Sequence, residues 1–200
     1  MKVFLFFIID KTAYILFPIY LFHKIVFKKM ISLFTSKFIE IELKLKNNTV
    51  GKNFRVGRNC IIKVHKDSNV LIGKNVIIND NVYINVKANA SLKIGDNVHI
   101  GYGVRISSFE SVTIGEDTLI ASYCNILDHN HLFDLKSSVV ANKYKSSPIN
   151  IGKGVWLGTK VQINKKVNIG NFSVIAANSV VVKDIETSSV YAGVPAKKLR

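Results

Sequence analysis

The sequence predicts an all-β protein: a parallel β-helix of about six triangular coils, with one projecting loop and an N-terminal helical appendage. Three observations carry that prediction. From residue 50 onward aliphatic side chains recur every six residues, a period that fits neither an α-helix nor a two-residue alternation. Residues suited to tight corners follow each aliphatic at fixed offsets. The period stops across residues 127–148 and then resumes.

The first element, residues 1–46, differs from the rest in composition. "MKVFLFFIIDKTAYILFPIYLFHKIVFKK" is aromatic-rich and interrupted by Asp10, Lys11, His23 and Lys24. No run reaches the roughly 20 apolar residues of a spanning helix. No small-residue cleavage site follows, which speaks against a signal peptide. With Lys28, Lys29 and Lys37 added, the segment reads as one or two amphipathic helices kinked at Pro18. Such a segment can lie on an anionic bilayer with its lysines at the headgroups. It can equally cap the main domain or a neighbouring subunit.

The second element, residues 50–190, is the repeat. Val50, Val56 and Ile62 open it; Ile72, Ile78 and Ile84, then Ile94, Ile100 and Ile106, then Ile114, Ile120 and Ile126 continue it. Ile151, Leu157, Ile163, Ile169, Ile175 and Val181 form the longest unbroken series. Gly often follows the aliphatic. Asn, Asp or Gly commonly stands three places after it, as at Asn53, Asn75, Asn97, Gly103 and Asp117, where a corner requires positive φ. Four places after it comes a modest side chain such as Val76, Val98, Val155 or Ser173, which fits a narrow inner corner. Three such hexads make one coil, and coils bury a continuous core by stacking. Cys60 and Cys124 occupy this fourth position, so packing accounts for both; they form no disulfide or metal pattern. A reducing cytosolic setting follows. Short insertions near 66–69, 88–91 and Phe109 read as loops at corners.

The loop at 127–148 contains "ILDHNHLFD", with Asp128, His129, His131 and Asp134. A loop of that length inside a compact repeat points to function. Metal binding, proton transfer and plain decoration are the options at this stage. Zinc requires three or four ligands, and His65 and His99 belong to distant coils, so no metal is expected. The formal charge is +15, which suits a polyanionic partner. The basic residues are spread over corners and the appendage without a stacking motif, so nucleic acid is not the expected partner.

Over about residues 70–200 the chain resembles the left-handed β-helix O-acetyltransferases, in particular galactoside, maltose and polysaccharide-modifying sugar acetyltransferases. The residues that carry the resemblance are the hexapeptide repeat, "GKGVWLG", "VVVKDI", the terminal "YAGVPAKKLR" and the histidine-bearing loop. The resemblance implies a left-handed coil, acetyl-CoA as acyl donor, and a sugar or glycan acceptor. It also implies a homotrimer with the active site between adjacent coils of the trimer.

By that resemblance His131 is the general base, with His129 the alternative. Asp128 or Asp134 can orient the imidazole, a backbone carbonyl can do the same, and both acids can equally be solvated. Thr159 matches a donor contact, and Ala177 and Lys183 are expected in later coils on the same face. Lys197 and Arg200, in the basic tail 191–200, match contacts to the adenosine phosphates. Trp156 should face outward, against CoA or a neighbouring subunit. Positions that contact the acceptor in galactoside enzymes correspond to Gly101 and Phe109, which puts a free galactoside in doubt. A membrane-proximal glycan intermediate suits the appendage better, with the protein cytoplasmic or peripheral at the inner face of the membrane. A noncatalytic β-helix serving as an assembly or binding module is the competing reading.

Overall fold

The structure, a computed structural model, describes residues 30, 32–134 and 138–200. The expected kink at Pro18 and the lysines at 24, 28 and 29 lie outside the described residues. Three parallel sheets form the faces of a left-handed triangular solenoid of about six turns. Face A joins Thr49–Val50, Asn69–Ile72, Ser91–Ile94, Ser111–Ile114, Ile149–Ile151 and Asn168–Ile169. Face B joins Arg55–Val56, Ile77–Ile78, His99–Ile100, Leu119–Ile120, Trp156–Leu157, Val174–Ile175 and Val190–Ala192. Face C joins Ile61–Val64, Tyr83–Val86, Arg105–Ser108, Asn125–Leu127, Gln162–Asn164 and Val180–Val181.

The hexad explains this geometry position by position. The repeated aliphatics from Ile72 to Val181 point into one continuous core, which supplies most of the driving force for stacking. The residue three places on adopts positive φ at Asn53, Asn75, Asn97 and Asp117, and their side chains form a ladder with 2.9 Å links. The Gly after the aliphatic has a different cause. A Cβ on Gly115 would lie 2.5 Å from the carbonyl carbon of Gly152 in the next coil, so this corner admits no side chain.

Helix α1, residues 32–45, closes the N-terminal end of the core. Ser32 Oγ donates to the Val56 carbonyl at 2.9 Å, and the Val56 amide donates to Ser36 Oγ at 2.7 Å. Leu43 is buried beneath the helix and Ile39 packs against the same core. These inward residues recur at helical spacing. The opposite stripe is also apolar: Phe34, Phe38 and Leu45 are 72%, 70% and 80% exposed, and Met30 and Ile41 continue the row. None of the described helices is long and apolar enough to cross a membrane.

The three short insertions and the long one share a single corner. On face C, Val64 pairs with Val86 and Val86 with Ser108, so His65, Lys87 and Phe109 follow on successive rungs. Leu127 pairs with Ser107, which sets Asp128 beside Ser108 and His129 beside Phe109. The solenoid therefore continues through Asp128, and it resumes by Ile149, whose side chain is buried against the Val112 rung. The expected projecting loop contains a hairpin: His129–Asp134 runs antiparallel to Ser138–Ser146. The tail is not free either. Lys197–Lys198 folds back antiparallel on Tyr191 and Ala192 of face B.

Candidate active site

The corner between faces C and A is built around Asp128. Its side chain is wholly buried. Its carboxylate accepts the amides of Phe109 at 2.8 Å, Glu110 at 2.8 Å and Ser111 at 2.9 Å, and the Ser108 hydroxyl at 3.4 Å. The short insertion after Ser108 turns these amides toward the corner, and buried amides require an acceptor. Asp128 supplies it from the next coil. The expectation that this acid could be solvated is therefore corrected: it occupies the same inward position as Val64 and Val86, two places after the core aliphatic, but bonds polar groups there.

His129 is held from two sides. Its Nδ1 lies 3.4 Å from Asp128 Oδ1. Its ring lies flat on that of Phe109, centroids 3.5 Å apart and planes 9° from parallel. Tyr144, from the returning hairpin strand, meets the Phe109 ring edge-on at 4.5 Å. Burial pushes the His129 imidazole below the ordinary histidine value; Asp128 opposes that shift, while His131 and Lys87 add to it. The result is a mostly neutral, oriented imidazole near neutral pH, which is the state a general base needs.

His131 lies two residues further along the hairpin, opposite Tyr144, and its side chain is exposed. Asp134 pairs with Ser138 through the hairpin backbone, and its side chain lies outside what the structure describes. Phe109 lies beside a candidate base instead of offering a polar contact to a sugar. Gly101 cannot offer one, because a Cβ there would meet the Ala121 carbonyl carbon at 2.7 Å. Among the described residues no group of three or more His, Cys, Asp or Glu side chains is arranged to hold a metal.

The residues matched to the donor lie elsewhere. Trp156 is 51% exposed on face B, between Leu119 and Val174 on adjacent rungs. Thr159 and Ala177 occupy successive corners between faces B and C, where the Asn178 amide donates to the Thr159 carbonyl at 2.9 Å. Lys183 is not beside them as expected. It follows Val181 at the corner between faces C and A, one side of the prism further on. Lys197 stands in the added strand on face B, and the Arg200 carbonyl accepts the Val190 amide at 2.8 Å. A single chain thus separates Thr159 and Ala177 from His129 by the width of face C. The sequence named Asp128 as a candidate orienter of the imidazole but not its bonds to the amides of the previous coil, and it named Phe109 only as a departure at an acceptor position; the signal for both was the lengthening of the hexads that begin at Ile62, Ile84 and Ile106.

A solenoid of stacked hexads has recognisable counterparts. The chain is similar to the hexapeptide-repeat acetyltransferases. It is 45% identical over 105 residues to a protein of Escherichia coli named "Putative lipopolysaccharide biosynthesis O-acetyl transferase WbbJ", covering 48% of this chain and 54% of that one. It is 42% identical over 90 residues to the galactoside O-acetyltransferase of the same organism, covering 45% and 44%. The matches thus span about half the length of these curated relatives. Among solved structures, a hexapeptide-repeat acetyltransferase of Vibrio cholerae complexed with acetyl coenzyme A superposes with a TM-score of 0.55 at 27% identity, covering 83% of this chain and 76% of that one. A variant of AntD, an N-acyltransferase from Bacillus cereus in complex with dTDP and coenzyme A, shares the fold with a TM-score of 0.70 at 24% identity, covering 80% and 88%. No protein-family model matches the chain.

Proposed function

We propose that this protein transfers an acetyl group from acetyl-CoA to a sugar hydroxyl, with His129 as the general base. The observation that carries the reading is the buried Asp128 beside His129, tied to three backbone amides at the hairpin corner. The similarity to named O-acetyltransferases supports the reaction class. His129 takes precedence over His131 because its ring is oriented and partly desolvated, whereas His131 is exposed.

In this mechanism Nδ1 of His129 carries its proton toward Asp128, which leaves Nε2 free to accept one. Nε2 takes the proton of the acceptor hydroxyl as that oxygen attacks the thioester carbonyl. The new C–O bond forms, the C–S bond breaks, and the proton passes to the departing CoA sulfur. Trp156, Thr159, Ala177, Lys197 and Arg200 serve the donor, and Lys183, on the histidine's own corner, approaches it from a different side. No metal takes part.

The separation of these residues from His129 supports a homotrimer in which one subunit's donor corner faces its neighbour's histidine corner. The outward column Ile77, His99, Leu119, Trp156 and Val174 on face B, apolar except at His99, offers surface for that contact. We also assign residues 1–46 to the inner face of an anionic membrane; the exposed stripe of α1 supports that location.

The decisive experiment compares two substitutions in an assay of acetyl transfer to candidate glycans. His129→Ala should lower kcat about 10²- to 10⁴-fold, the usual contribution of a general base, with acetyl-CoA affinity unchanged. His131→Ala should act mainly on acceptor KM. The opposite pattern returns the base role to His131. Full activity in both variants would leave the fold as a noncatalytic scaffold.

A further inference from the structure

We propose that the surface of face C between α1 and His129 is a binding groove for the phosphate or diphosphate of an acidic, glycosyl-phosphate acceptor. The inference rests on the acetyltransferase reading and deepens it by naming the substrate class. A groove of about 400 Å³ opens where α1 meets this face, lined by Glu42, Lys46, Lys63, His65, Asn85 and Lys87 among others. Its lower end joins the histidine corner, because Lys87, Phe109 and His129 stand on successive rungs.

The treatment of charge sets this surface apart. Elsewhere on the solenoid several cations are neutralised by acids. Arg58 meets Asp80 at 2.6 Å, Lys153 meets Glu116 at 2.6 Å, and Lys198 meets Glu186 at 2.5 Å. On face C the neighbours of the cations are aromatic rings. Lys63 lies 5.9 Å and Arg105 5.0 Å from the centre of the Tyr83 ring, and Lys87 lies 5.3 Å from that of Phe109. None of the outward residues of this face from Ile61 to Asn164 is acidic. The acids at the rim are already engaged: Glu42 with Lys46 at 2.8 Å and Asp67 with His65 at 3.4 Å. An aromatic face positions a cation but leaves its charge uncompensated, so Lys63 and Lys87 present oriented positive charge to an incoming anion.

Spacing then sets the ligand. Adjacent strands are about 4.8 Å apart, so Lys87 stands about 10 Å from His129 and Lys63 one rung beyond. That span accommodates a pyranose ring whose hydroxyl reaches His129 and whose anomeric phosphate reaches Lys87, with a second phosphate toward Lys63. Two sources carry this chemistry: a soluble nucleotide sugar and a lipid-linked sugar diphosphate. The groove opens beneath α1, which suits either.

The test titrates the full chain with inorganic pyrophosphate while saturating CoA fills the donor's own phosphate site. Lys63→Gln/Lys87→Gln should weaken pyrophosphate binding by at least about tenfold. Lys74→Gln/Lys93→Gln, an equal charge change at exposed positions on and beside face A, should leave it unaltered. Acetyl transfer is then compared between nucleotide sugars in solution and a polyprenyl diphosphate sugar in vesicles. Whichever arm accepts acetyl identifies the source, and there the double variant should raise acceptor KM by about the same factor while KM for acetyl-CoA holds. Absence of pyrophosphate binding, an equal effect of Lys74→Gln/Lys93→Gln, or an unchanged acceptor KM overturns the inference. If the unsubstituted chain fails to bind acetyl-CoA, the acetyltransferase reading itself falls, whatever pyrophosphate does.

Discussion

Phe109 and His129 lie face to face, ring centroids 3.5 Å apart, although 20 positions separate them in the chain. The contact exists because a face C rung joins consecutive coils. It fixes the imidazole plane and shields one of its faces from water, which adds to the burial that lowers the His129 pKa.

Replacing Phe109 by Leu should therefore change the pH profile as well as the rate. A lowered pKa keeps the base unprotonated to pH values below the ordinary 6.5, so the acid limb of the kcat/KM profile falls below that value. Opening the ring face to water reduces the largest lowering contribution, burial, while Asp128 still raises the pKa. The limb should move to higher pH. Rates measured from pH 5 to 8 check this; a limb that stays in place would mean that Phe109 does not position or desolvate the base.

Asp128→Asn should destabilise the fold. The carboxylate accepts amides from three consecutive residues, and an amide side chain presents one oxygen and a clashing NH₂ group. Leaving buried donors unsatisfied costs about 1–3 kcal/mol each. A loss of about 3 kcal/mol in urea unfolding is expected, together with reduced kcat from a misoriented imidazole. An unchanged urea midpoint would contradict the structural role.

Gly115→Ala tests the coil spacing. The added Cβ would sit 2.5 Å from the backbone of Gly152, so two core coils must part. Overpacking of this kind costs about 1–3 kcal/mol, read as a drop in Tm, whereas His131→Ala on the exposed hairpin should leave Tm nearly unaltered.

The stripe on α1 should govern vesicle binding. Phe34→Ser/Phe38→Ser/Leu45→Ser removes exposed apolar area without touching Ser36 or Leu43, the inner face. Co-sedimentation with anionic vesicles should be lost while the β-helix stays folded by circular dichroism. High salt should weaken binding of the unsubstituted protein, since screening shortens lysine–headgroup attraction. Equal recovery of both proteins with and without vesicles would remove the membrane assignment.

By itself the sequence determined the solenoid. A six-residue period can be satisfied only by a short strand and a corner repeated, and the positive φ at Asn53, Asn75, Asn97 and Asp117 follows the Asn and Asp placement directly. Even corners without such residues keep the turn, as at Lys160 and Phe172; there the stacking of neighbouring coils overrides local preference. The long loop, its histidines and the outward Trp156 were equally legible. Their assembly was not. Periodicity records which residues face inward but not which insertions share a corner, because that depends on how many residues each coil spends before returning to the same edge. Tertiary stacking therefore decided that His65, Lys87, Phe109 and His129 form one ridge. It also decided that Asp128 is buried under the amides of the previous coil, and that His129 rather than His131 lies against the solenoid. Long-range rungs, each linking residues about twenty positions apart, carry that information.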